Sequence, residues 1–207
     1  MDWSDILPIL IGLLAVVGLP MALRRRRKGG ADKVDELYQH LQGMGIKVST
    51  LGGSPDQEKV KAKRLGVRKS VGVIKIRDKN IDTIDVIGVA NQYGVKYFLD
   101  FITSSSSLTG KENRKKTIMT KRRRSPLWGE IIDIGWKGDD FLAQKLEFDY
   151  RLKDKLLQAS PDILNGDIQI FPEPKHRYTR IRTIYFLPTP TLFDAIDTIS
   201  KHTKQSW

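Results

Sequence analysis

Val71-Gly72-Val73-Ile74-Lys75-Ile76-Arg77 is where this chain changes its period. Ile74 and Ile76 alternate with Lys75 and Arg77, so apolar and charged side chains fall on opposite faces, as in a half-buried strand. Ile84–Ala90 and Val95–Thr103 read as the next two strands, joined by a turn around Asn91-Gln92-Tyr93-Gly94. Within the second, Val95, Tyr97, Leu99 and Phe101 line one face. Ser104–Asn113 is a polar loop, after which Lys115–Lys121 and Gly129–Trp136 form another pair connected through Arg122–Pro126. Connections this short make neighbouring strands mostly antiparallel.

Helical periods dominate the last third. Gly138-Asp139 precedes a long helix over Asp140–Gln158, with Phe141, Leu142, Phe148, Leu152 and Leu156 on a wide apolar face. Asp167–Phe171 and Tyr178–Phe186 make a hairpin across Pro172–Arg177. Thr189-Pro190 caps a last helix whose Leu192, Ala195, Ile196 and Ile199 share a face. Upstream of Val71, Asp32–Leu41 reads as a small amphipathic helix, and Ser54-Pro55 starts a basic surface helix over Pro55–Leu65. Strands with helices attached, and no regular βαβ alternation, predict an α+β fold: a mainly antiparallel sheet with helices packed at its ends. Strand order does not follow from the sequence.

The first 28 residues set a separate expectation. Ile6 to Leu23 has no charged residue over 18 positions, and eleven of them are Ile, Leu or Val. As a helix the run is about 27 Å long, just enough for a hydrocarbon core of roughly 30 Å. Ile6, Leu10, Leu14, Val17 and Leu23 would face lipid along this transmembrane helix. Arg24, Arg25, Arg26, Arg27 and Lys28 follow directly, while Asp2 and Asp5 precede it. A cleaved signal would want its cations in front of the apolar run, and no cysteine is present to carry a lipid. The positive-inside rule then gives a single-pass cell-membrane protein: an outer tail over 1–5, a span over 6–23, a polybasic juxtamembrane linker over 24–30 ending in the flexible pair Gly29-Gly30, and a cytoplasmic domain over 31–207.

The charge is concentrated. The net charge is +12, yet residues 59–79 hold nine Lys/Arg against Asp78, and residues 111–124 hold eight against Glu112. Lys121-Arg122-Arg123-Arg124 stands out as a surface loop. With a membrane anchor close by, contact with anionic inner-leaflet headgroups is the favoured use of these cations. Nucleic-acid phosphates come second, because no aromatic residue is interleaved between Lys111 and Arg124.

No catalytic constellation emerges, and no cofactor is expected. His40 and His202 read as solvent-facing, and His176 as an ordinary residue of the Glu173–Arg177 turn. No two histidines have metal-ligand spacing, and a structural zinc site has no cysteine to use. Asp139-Asp140 suits helix capping better than cation binding. Nothing at Ser104–Ser107 matches a nucleotide-binding loop. Trp136 follows Ile132 and Ile134 on one face and reads as core. The sequence alone therefore suggests a membrane-anchored binding or scaffolding module rather than an enzyme, with a membrane-tethered enzyme or a membrane-associated nucleic-acid binder as alternatives.

Overall fold

The computed structural model describes residues 19–50, 68–105, 114–124, 131–159 and 167–206. Helix α1 (Leu19–Gly43) leads to β1 (Val48–Thr50), β2 (Arg68–Ile76), β3 (Thr83–Asn91) and β4 (Gly94–Ser104). β5 (Thr117–Arg123) and β6 (Ile131–Lys137) precede the helices α2 (Asp140–Glu147) and α3 (Tyr150–Gln158). β7 (Gln169–Glu173), β8 (Tyr178–Ile184) and α4 (Pro190–Ser206) follow. The strands form one eight-stranded sheet in the order β1-β2-β3-β4-β8-β7-β5-β6. Every pairing in it is antiparallel. The α+β expectation holds for the sheet and its helices.

Register turns the alternation of each strand into two faces. Ile74, Ile84, Phe101, Ile181 and Ile170 lie side by side across β2, β3, β4, β8 and β7. All five are 0% exposed and belong to a single core with Leu37 and Leu41 of α1, Leu142 of α2, Leu156 of α3, and Leu192, Ile196 and Ile199 of α4. Burial of each such side chain contributes about 1.5–3 kcal/mol, and β-branched isoleucine suits the pleated surface. The neighbouring row, one residue along, has the opposite character: Val73, Asp85, Asp100, Arg182 and Gln169.

Loops tie α4 to the sheet. Asp197 accepts from the backbone N–H of Asn80 at 2.7 Å and of Ile81 at 3.2 Å, and from Asn80 Nδ2 at 2.9 Å. Its carboxylate thereby satisfies the donors of the β2–β3 turn from across the core. At the start of α4, Thr189 Oγ1 accepts from Leu192 N at 3.3 Å, the cap read from the sequence. Asp139 likewise caps α2, accepting from Leu142 N at 3.1 Å.

The expected membrane anchor is corrected. Ile6, Leu10, Leu14 and Val17 lie outside the described residues, as do residues 1–5. Leu23 belongs to α1, which runs on without a break through Arg24–Lys28 and Gly29-Gly30 to Gly43. Among the described residues no helix is long and apolar enough to cross a membrane. The single-pass topology, the cytoplasmic assignment of residues 31–207 and the bilayer partner lose their basis with it, and so do the membrane-anchored readings of function. Nor are the glycines a flexible link. A Cβ on Gly30 would overlap Val71 Cγ1, and one on Gly72 would lie 2.9 Å from Val34 Cγ2, so both glycines let α1 seat closely on β2.

Two further expectations change. The helix over Asp140–Gln158 is two helices, because Phe148 ends α2 and Asp149 Oδ1 caps α3 by accepting from Leu152 N at 2.9 Å. His202 of α4 holds that cap, with Nε2 2.7 Å from Asp149 Oδ2, so it is not simply solvent-facing. Lys121-Arg122-Arg123 is the end of β5 and not a loop, with Arg124 in the bend that follows. Lys121 pairs with Ile134 and Arg122 with Asp133, so these two cations point to opposite faces, and the register shifts between Arg122 and Arg123. The surface helix expected over residues 55–65 lies outside the described residues.

Gly138 sits at φ +140°, between β6 and α2, and a Cβ there would collide with the Lys116 carbonyl oxygen and lie 2.6 Å from Thr117 Cα. Both obstacles are backbone and cannot rotate away. Gly138→Ala should therefore cost about 3–5 kcal/mol, adding backbone strain to overpacking. Gly43→Ala, with nothing within 4 Å of the new Cβ, should leave stability nearly unchanged. Urea unfolding of the two variants against the parent measures both.

Candidate functional site

The charged row crosses the centre of the sheet on the face turned away from the apolar row. Asp100 of β4 stands opposite Arg182 of β8, and the pair is bidentate: Arg182 Nε donates to Oδ1 and Nη2 to Oδ2, each at 2.6 Å. Arg180 of β8 comes within 3.6 Å of the same carboxylate through Nη1 and donates from Nη2 to Glu173 Oε1 of β7 at 2.6 Å. Asp100 is 1% exposed, and Arg180 and Arg182 are 6% exposed each. Charges this deep persist only when partnered. Arg180 Nε is nevertheless a buried donor with no acceptor, so this polar network is incomplete.

Phe171 of β7 gathers cations. Lys116 Nζ and the Arg180 guanidinium each lie 4.7 Å from its ring centroid, and the Arg182 guanidinium lies 5.7 Å away. Arg182 is also 5.7 Å from the ring of Phe98. The ring quadrupoles attract each cation while the cations repel one another. Two groups show that repulsion. Arg68 of β2 is pushed below the usual guanidinium range by partial burial and then by Arg182 and Arg180. Lys116 is lowered by partial burial and then by Arg182. The face therefore sets Lys116 on one side of Arg180 and Arg182 and Arg68 on the other, each within electrostatic reach of Arg182.

A third acid stands beside them. Asp85 of β3 lies directly opposite Asp100, is 1% exposed, and accepts from Ser70 Oγ at 2.6 Å. Burial is the main force pushing its carboxyl up to about 7, and Asp100 adds to it; Ser70, Arg182 and Arg180 pull the other way. Tyr178, at the near end of β8, is pushed up to about 12 by burial and by Glu173. Arg68, Lys116, Arg180 and Arg182 thus share this face with the carboxyl groups of Asp85, Asp100 and Glu173.

Arg68 and Lys116 lie in the two basic segments marked in the sequence, but Asp85, Asp100, Phe171, Arg180 and Arg182 did not stand out there. Lys121, singled out there, is 11% exposed and 3.5 Å from Asp167, away from the charged row. Arg122 shares the face of Gln169 but lies near the edge strand, opposite Asp133. His176 is exposed and stacks on Tyr178, with centroids 5.7 Å apart, and His40 Nε2 lies 2.8 Å from the Pro188 carbonyl oxygen. Trp136 packs against the core while Ile132 is exposed. Among the described residues no group of three or more His, Cys, Asp or Glu could hold a metal ion. A second candidate, a shallow cleft of about 620 Å³, is lined by Lys145, Phe148, Asp149, Tyr150, Arg151 and His202.

Comparison with known proteins finds no family model, no curated protein and no solved structure that matches this chain. The functional reading rests on the geometry alone.

Two outcomes follow for the buried charges. Asp85 binds its proton more tightly when folded than when unfolded, so between about pH 4 and 7 the unfolded chain ionises first and stability falls as pH rises. Above about 7 the full penalty is present, at most about 4 kcal/mol. Asp85→Asn should remove it, and its gain in Tm over the parent should grow from pH 4 to 7 and then level off. Asp100→Ala should cost about 3–5 kcal/mol by stranding Arg182, while Asp100→Leu combined with Arg182→Met should recover most of that loss. Thermal melts across pH, and urea titrations at pH 7, read the two effects.

Proposed function

We propose that this chain is a binding domain that takes an anionic ligand on the charged face of its sheet, at the Phe171 end, where Lys116 lies over the buried Arg180 and Arg182, with Arg68 further along the face. The observation that carries the reading is the crowding of three of these cations around the single ring of Phe171, which an anion would relieve. The downward shifts of Arg68 and Lys116 support it. Positive charge converging on aromatic rings favours negative ligands and steers their approach.

Binding fits better than catalysis. Ser70 and Asp85 are the pair that a catalytic reading would use as nucleophile and base, but Asp85 is 1% exposed and leaves a reacting group little approach. The cleft at Phe148 and Tyr150 is the lesser alternative, since His202 and Asp149 there already serve to cap α3.

Tripolyphosphate at low ionic strength is a suitable probe, read by calorimetry. The double variant Arg68→Gln/Lys116→Gln should bind at least tenfold more weakly, because it removes two cations without breaking a buried ion pair. Arg122→Gln/Arg124→Gln should bind as the parent does. Equal losses in the two double variants would show that net charge alone attracts the probe, and the site reading would be abandoned.

A further inference from the structure

Phe141, Phe148 and Tyr150 stay in water although large rings gain most from leaving it. The helical period of the sequence assigns both phenylalanines to the core, yet they are 58% and 64% exposed, and Tyr150 is 70% exposed. The cause is the break between α2 and α3. Leu142, Leu146, Leu152 and Leu156 enter the core, and the junction at Asp149 leaves Phe148 and Tyr150 outward on either side of it. Phe141, Lys145 and Phe148 follow at i, i+4 and i+7, one outward stripe of α2. A contiguous apolar patch of this kind marks an interaction surface.

Phe148 and Tyr150 line the cleft of about 620 Å³ beside His202 of α4, together with one cation from each helix, Lys145 of α2 and Arg151 of α3. Neither cation makes an ion pair among the described residues. The neighbouring acids are committed elsewhere. Asp149, the one carboxylate in the lining, gives Oδ1 to Leu152 N and Oδ2 to His202. Glu147 reaches Trp136 N and Lys153, and Asp194 holds Lys155. Asp140, Asp154 and Lys201 are exposed but lie outside the lining. The contact between Asp149 and His202 joins α4 to the start of α3, so the cleft keeps its shape before anything binds.

Phenylalanine, tyrosine and arginine are the residues that protein interfaces bury at their centres. A cation on each side of two rings fits a segment with carboxylates on each side of an apolar anchor. The net charge of +12 favours the approach of such a segment and opposes a second copy of the chain.

We infer that the α2–α3 junction docks a short acidic segment of a partner protein, whose apolar or aromatic side chain enters the cleft beside Phe148 and Tyr150 while its carboxylates meet Lys145 and Arg151. This surface belongs to the helical layer and is independent of the charged face of the sheet.

The probe is a fluorescein-labelled peptide alternating glutamate with phenylalanine. One counterpart carries glutamine in place of glutamate, and polyglutamate supplies the charge without the rings. In anisotropy titrations of the full chain at physiological salt, the glutamate–phenylalanine peptide should bind about tenfold more tightly than either counterpart. Phe148→Ser/Tyr150→Ser should remove its advantage over polyglutamate while keeping the urea midpoint of the parent, since both rings are largely exposed. Lys145→Gln/Arg151→Gln should narrow its advantage over the glutamine peptide several-fold. Arg68→Gln/Lys116→Gln removes the same charge from the other face and should leave both advantages unchanged. Equal binding of the glutamate and glutamine peptides would overturn the inference, as would equal losses in Lys145→Gln/Arg151→Gln and Arg68→Gln/Lys116→Gln. So would binding of single-stranded oligouridylate in place of the peptide, lost in Phe148→Ser/Tyr150→Ser, or a parent dimer in sedimentation velocity that the same variant dissociates.

Discussion

The bidentate pair between Asp100 and Arg182 is the constraint on which the rest of this structure turns. Removing two charges from water costs several kcal/mol apiece, and only good geometry with further hydrogen bonding offsets that cost. Here the partners stand directly opposite on β4 and β8, with both contacts at 2.6 Å. A one-residue slip of β4 against β8 would turn Asp100 toward the apolar core and move Phe101 out of it. The ion pair and the apolar row therefore enforce the same register. Since β4 and β8 are the junction between β1-β2-β3 and β7-β5-β6, the alignment of the whole sheet passes through them.

One alternation thus builds both the core and the candidate site. Residues of one parity bury Ile84, Phe101 and Ile181 under the helices, and residues of the other parity carry Asp85, Asp100, Arg180 and Arg182. The helical layer is fastened by specific devices rather than by apolar contact alone. Asp197 satisfies the β2–β3 turn, Asp149 is shared between the α3 cap and His202, and Gly72 and Gly30 allow α1 to approach β2. Each device joins residues far apart in the chain, so each closes a long loop and draws on the stability of the finished core.

Much of the fold was legible because its signals are local. Alternation in Ile84–Ala90 and Val95–Thr103 marks β3 and β4, and the spacing of Leu192, Ala195, Ile196 and Ile199 marks α4. The Asp139 and Thr189 caps need only residues three positions away. Other features misled. The break between α2 and α3 has no glycine or proline to announce it and depends on Asp149 meeting His202 from α4. Gly29-Gly30 suggests a link by composition, yet it lies inside α1, where the missing Cβ of Gly30 leaves room for Val71. Lys121 and Arg122 look like part of one patch in the sequence, and the pleat of β5 turns them to opposite faces.

What the sequence determined by itself is the kind of each element, since helical and strand periods record which side of a segment must leave water. It also determined that consecutive strands such as β2–β3, β3–β4 and β7–β8 would pair antiparallel, because their connections are short. Only the tertiary structure decided the strand order and the site. Arg68, Lys116 and the hairpin that carries Phe171 and Arg180 are separated by tens of residues, and no spacing rule relates them. Their meeting follows from β8 inserting between β4 and β7, a pairing governed by long-range packing and by where Asp100 finds its counter-charge.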